Sequence, residues 1–147
     1  MASLRHVVLA GLIGVSLLSF AGCAQQAASD QQSAQADTVY GRIGEAKIGE
    51  LVTAWYKDAA GTPAERLTKP YSVEQMTGLL ADKLGSPTPF LGKDVKSAYA
   101  GLNVSDDEWK SFMDSLGKAA DEVGLSPLDR EQILVTIDPM KQDVVGQ

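Results

Sequence analysis

Apolar residues recur at helical spacing through the chain from about residue 39 onwards. Ile48, Leu51, Val52, Trp55 and Tyr56 fall at i, i+3, i+4, i+7 and i+8, one stripe of an amphipathic helix. Gly61-Thr62-Pro63 ends it. A second helix is predicted to open at Ser72, with Gln75 three residues on as a capping box, and to carry Val73, Met76, Leu80 and Leu84 before Gly85-Ser86-Pro87. Ser105 and Glu108 form another such box, followed by Trp109, Phe112, Met113, Leu116 and Val123 on one face, then Gly124. Ser126-Pro127 starts a last helix, with proline where its missing N–H costs nothing. Ile133, Leu134, Ile137 and Met140 line its inner side, and Pro139 is expected to kink it near its end. No alternating strand pattern competes, so the fold class is all-α.

The first 38 residues follow a different pattern. Arg5 and His6 precede an uncharged run from Val7 to Phe20, and Ala21-Gly22 then leads into Cys23, the chain's single cysteine. A positive start, a short apolar core and small residues at a cut site are the layout of a secretory signal. The core is about 14 residues, below the ~20 that a spanning helix needs. Leu18-Ser19-Phe20-Ala21-Gly22-Cys23 resembles the lipobox of bacterial lipoproteins, with Phe20 where leucine is usual. That resemblance implies removal of residues 1–22 as a signal peptide and lipidation at Cys23, which then anchors the protein to the bilayer with several acyl chains. Ala24 in place of the aspartate associated with inner-membrane retention favours the outer membrane. The expected location is the cell envelope, facing the periplasm.

From Ala24 to Thr38 the sequence is Ala, Gln, Ser and Asp with one Thr. Such a segment cannot bury enough surface to offset its ordering entropy, so 23–38 reads as a lipidated cysteine and disordered tether. As a coil it spans on the order of 20 Å. Residues 39–147 are then a single domain, expected to be monomeric. Without Arg5 the chain carries 12 basic residues against 19 acidic ones, a formal charge of −7. An acidic domain with scattered basic residues is a poor nucleic-acid binder. With Cys23 committed to lipid, no disulfide or thiolate metal site remains. There is no Cys–His or Ser–His pairing for nucleophilic catalysis and no glycine-rich phosphate loop. Asp106-Asp107-Glu108 reads as first-turn charge at a positive helix end rather than as a cation site.

Five stretches resemble, in order and with consistent spacing, the truncated (two-on-two) haemoglobins. Tyr40-Gly41-Arg42-Ile43-Gly44-Glu45-Ala46 is similar to that family's opening Leu-Tyr-x-x-Ile-Gly-Gly. Trp55-Tyr56 falls where the family has an aromatic residue followed by its distal tyrosine. Leu84-Gly85-Ser86-Pro87-Thr88-Pro89-Phe90-Leu91-Gly92 looks like Leu-Gly-Gly-Pro-x-x-Tyr-x-Gly. Ala98-Tyr99-Ala100-Gly101-Leu102-Asn103-Val104 is similar to Ala-His-x-Gly-Leu-x-Ile, which holds the proximal haem ligand. Ile137-Asp138-Pro139-Met140-Lys141 with Asp143-Val144-Val145 matches the ending. The resemblance is nearest to the first of the three truncated groups and implies a globin-like two-on-two helical sandwich.

What the resemblance implies about a site is altered by its departures. Tyr99 stands where the family has its proximal histidine, and His6, the only histidine, leaves with the signal. Haem iron ligated by Tyr99 would need a phenolate, and Lys93 and Lys96 are the nearby cations in sequence. Tyr56 is the residue that in the family hydrogen-bonds bound oxygen. Met76 takes the distal position with Ser72 one turn earlier, and Phe90 completes the candidate pocket. The paired phenylalanines that wedge against haem are missing before Ser72. Each residue has a plain reading as well: Tyr99 as a core aromatic filling a haem-free cavity, Tyr56 as a core tyrosine, Met76 as packing. Three functions follow. The protein binds haem, and through it oxygen or another diatomic ligand; or it is a haem-free globin-fold interaction module or apolar-ligand binder; or it is a haem enzyme detoxifying nitric oxide or peroxide. The lack of any imidazole weighs against the enzyme.

Overall fold

The computed structural model describes residues 37–147, so the signal, the lipidation position Cys23 and most of the tether lie outside the described residues. Helix α1 runs Val39–Ala59 and buries Ile48, Leu51, Val52 and Trp55, the stripe expected from spacing. Its start is earlier than that stripe because Thr38 caps it, accepting from the Gly41 N–H at 2.9 Å. Gly44 breaks the helical backbone inside α1 at φ 76°, ψ 162°. That region is open essentially to glycine alone, which is why the bend sits there.

A 3₁₀ turn, Glu65–Thr68, follows and buries Leu67. Helix α2 is Val73–Lys83, opened by the Ser72/Gln75 capping box. An eleven-residue loop then leads to a short helix α3, Val95–Tyr99, capped by Asp94. Helix α4, Asp106–Glu122, opens with the Ser105/Glu108 box, and α5, Pro127–Ile137, with the Ser126 cap. Pro139 does not kink α5 from within. The helix ends at Ile137, and residues Asp138–Met140 tighten into a 3₁₀ turn before helix α6, Lys141–Val144. A proline ring inside a helix meets the carbonyl four residues back, and the chain relieves this by changing helix type.

Helix α1 packs against α2 on one side and α4 on the other, α4 carries α5, and α6 covers α3. The result is an all-α, two-on-two globin-like sandwich. Among the described residues the one β contact is an isolated parallel bridge between Val104 and Val145. Trp55 stacks on Phe112 at 4.3 Å between ring centroids and donates its indole N–H to the Phe112 carbonyl at 2.8 Å, so α1 and α4 are locked by both packing and a polar contact. At the other end Arg42 joins α1 to α5, its Nε donating to Asp129 Oδ1 at 2.8 Å. The Ser126 hydroxyl and then the Arg42 guanidinium hold the buried Asp129 carboxyl below the usual carboxylate range.

Candidate functional site

The space between α2, α3 and the 3₁₀ turn is closed by aromatic side chains whose hydroxyls all find backbone carbonyls. Tyr99, the last residue of α3, is 2 % exposed and donates its hydroxyl to the Leu67 carbonyl at 2.8 Å. Tyr56 on α1 donates to the Tyr71 carbonyl at 3.0 Å, and Tyr71 donates to the Lys93 carbonyl at 2.6 Å. The three bonds tie α1, the 3₁₀ turn, the entry to α2 and the loop before α3 to one another. The Tyr71 ring lies 6.1 Å from that of Tyr99 and 6.0 Å, edge-on, from Phe90. Among the described residues, the buried side-chain polar atoms left without a hydrogen bond are Asp58 Oδ2 and Trp109 Nε1, and no tyrosine oxygen is one of them.

Burial pushes the Tyr99 phenol far above its ordinary range, with Tyr56 and Tyr71 adding to the rise, and burial likewise raises Tyr56. Tyr71 moves in the same direction, first through burial and then through Asp94. The cluster is therefore three neutral phenols. Lys93 and Lys96, expected to favour a Tyr99 phenolate, have exposed side chains. Tyr99's titrating neighbours are phenols instead.

The other site residues expected from sequence divide into two sets. Met76 is buried on α2, and Phe90 is half-buried over the face of α2. A β-carbon built at Gly92 would lie 2.1 Å from the Phe90 ring and one at Gly78 would lie 3.3 Å from it, so two glycines make the slot in which Phe90 sits. Ser72 stands apart: exposed, with its hydroxyl accepting from the Gln75 N–H at 3.2 Å, it is a helix cap. Asp106, Asp107 and Glu108 occupy the first turn of α4; Lys141 pairs with Asp106 at 2.6 Å and Arg66 pairs with Glu108. No cluster suited to a metal ion occurs among the described residues.

Tyr71 is the central residue that the sequence reading missed. Its signal was present: it directly precedes the Ser72 cap and with Met76 takes the two apolar positions of a hydrophobic staple, and both are buried. Away from the tyrosines, a groove of about 610 Å³ runs between α4 and α5, lined by Met113, Leu134, Val135 and Pro139 together with Asp114, Glu131, Asp138 and Arg130.

No family model matches the sequence, and no curated protein does. Solved structures do. Truncated hemoglobin from Tetrahymena pyriformis in its Fe(III) form superposes with a TM-score of 0.68 at 22 % identity, covering 76 % of this chain and 100 % of that one. A single-residue variant of the same hemoglobin gives 0.69 at 21 %, with the same coverage.

That fold implies haem, and the residues here do not fit it as they are arranged. A ferric ligand would need the Tyr99 phenolate, whereas the proton is held on a buried phenol and spent on Leu67. Among the described residues there is no histidine to offer an imidazole in its place. The backbone is shared: the chain has the fold of the truncated haemoglobins.

Proposed function

We propose that this chain is a lipid-anchored globin-fold protein of the bacterial envelope that works without haem, as a scaffold presenting its surface to a partner molecule. The observation that carries this reading is the Tyr99–Leu67 hydrogen bond inside a packed tyrosine cluster. A tyrosine that ligates haem iron gives up its hydroxyl proton and turns its oxygen toward the metal. Here the ring occupies core volume, and its hydroxyl cross-links α3 to the turn before α2. The groove between α4 and α5, which sets Met113, Leu134, Val135 and Pro139 beside three carboxylates and Arg130, is the concave surface available to a partner carrying apolar and charged side chains.

Anchoring through Cys23, export and a periplasm-facing position rest on the sequence pattern of residues 1–38. The fold supports a second reading, in which haem enters by displacing Tyr71 and Tyr99 ligates iron.

The separating experiment is purification of the full protein from haem-replete cells, with haem and protein quantified in the same sample and the N-terminal residue analysed by mass spectrometry. The first reading predicts haem far below one per chain and an acylated Cys23. One haem per chain would replace it with the second. A chain still beginning at Met1, with an unmodified thiol, would remove the anchor.

A further inference from the structure

We propose that the loop from Gly85 to Asp94 is a membrane-contact surface that places Leu91 in the headgroup layer of a zwitterionic phospholipid bilayer. This rests on the reading of Cys23 as a lipid anchor.

The first observation is where the tether meets the domain. Thr38 lies against Gly85, so closely that a β-carbon at Gly85 would fall 2.7 Å from the Thr38 side chain. The Tyr40 N–H also donates to the Leu84 carbonyl at 3.0 Å. The chain arriving from Cys23 therefore enters the fold beside the start of this loop. Roughly 14 residues separate Cys23 from Asp37, which caps their separation at about 50 Å even fully extended. A leash of that length holds the domain at an effective concentration on the order of millimolar relative to the surface. Under those conditions a contact too weak to recruit a free protein is sufficient to orient an anchored one.

The second observation is the loop's shape. Phe90 points inward, held in the slot made by Gly78 and Gly92 and against Tyr71. The next side chain, Leu91, is thereby turned out and is 91 % exposed, against 61 % and 62 % for Leu128 and Val135, the next most exposed large apolar residues. Pro87 and Pro89 are exposed on the same loop. Glu45, Ser86 and Thr88, with Ala81, Pro89 and Phe90, share a hollow of about 270 Å³ with Leu91, so polar side chains stand beside the apolar tip.

The third observation is charge. Lys83, Lys93 and Lys96 are exposed on or beside the loop, and Asp82, Asp94 and Glu45 balance them. A collar of mixed sign suits headgroups that carry both a phosphate and an amine. The charge of −7 after signal removal opposes close approach to a strongly anionic bilayer.

The test uses residues 23–147 joined through Cys23 to a maleimide phospholipid in phosphatidylcholine vesicles with dibrominated acyl chains. The native indoles of Trp55 and Trp109 are buried and serve as a constant background. Leu91→Trp is expected to lose fluorescence to the brominated chains, while Lys110→Trp, near the opposite end of α1, and the parent protein are not. Hydrogen exchange on the unsubstituted protein should show residues 85–94 protected on vesicles relative to the same protein in solution. Equal quenching at positions 91 and 110, or unchanged exchange in the loop, overturns the proposal. The synthetic linkage holds the tether at the bilayer whether or not cells acylate Cys23. Loss of membrane flotation in Cys23→Ser cells separately tests the anchor, so the two failures are distinguishable.

Discussion

Replacing Tyr99 with phenylalanine should destabilise the protein even with no haem present. The substitution keeps the ring and removes one oxygen, the donor to the Leu67 carbonyl at 2.8 Å. A net hydrogen bond is worth about 1 kcal/mol, and a buried carbonyl stripped of its partner costs a further 1–3 kcal/mol or so. Tyr99 is 2 % exposed and Leu67 is fully buried, so water does not readily replace the lost donor. The expected loss is about 2–3 kcal/mol from a total that for such domains is about 5–15 kcal/mol. In melting temperature this is on the order of 10 °C. The assay is urea unfolding of the mature chain followed by far-ultraviolet circular dichroism, with the midpoint falling and the slope unchanged. Tyr40→Phe is the control, since the half-buried Tyr40 hydroxyl makes no hydrogen bond among the described residues. A Tyr99→Phe midpoint equal to that of the control would refute the reasoning, because it would mean that the phenol is idle and available to a ligand.

Three further outcomes are expected. Gly44→Ala forces a side chain into φ 76°, ψ 162° and should cost about 1–3 kcal/mol, measured by the same unfolding assay. Gly92→Ala pushes a methyl into the Phe90 ring and should cost about 1–3 kcal/mol as the slot opens, with faster hydrogen exchange confined to the loop before α3. Arg66, followed by the Ser105 N–H, holds the Glu108 carboxyl down at about 2 from an ordinary 4.5. A lowered carboxyl stabilises the fold above its unfolded value, so this contribution is present above about pH 4.5 and is lost as pH falls towards 2. Glu108→Gln should therefore flatten the acid limb of a stability–pH profile in that window. Asp94 and Asp129, also depressed, leave a residual slope.

The helices that bury a stripe were legible because period and caps agree: Ser72 with Gln75 and Ser105 with Glu108 are observed capping boxes, and Ser126-Pro127 starts α5. Helix α3 carries no such pattern, since five residues make little more than one turn and cannot display a period. The bend at Gly44 was also hidden, because a glycine in a helical stretch does not announce a positive φ. The candidate site was legible by position but not by partner. Tyr56, Met76, Phe90 and Tyr99 were named from the resemblance, yet nothing in the sequence said that Tyr99 would reach a carbonyl 32 positions away. Tyr71 belongs to no repeat, and its role depends on three chain segments meeting around it. Ser72 was assigned two roles, and its hydroxyl serves the backbone one, as a cap.

The most direct test of the central claim, that the tyrosine cluster closes this globin core to haem, is titration of the mature wild-type chain with ferric haem, followed by visible absorbance. The account predicts weak, non-stoichiometric uptake, no ferric-phenolate band and no change in the spectrum of bound haem on going to Tyr99→Phe. Saturation at one haem per chain, with a phenolate band that vanishes in Tyr99→Phe, would contradict it.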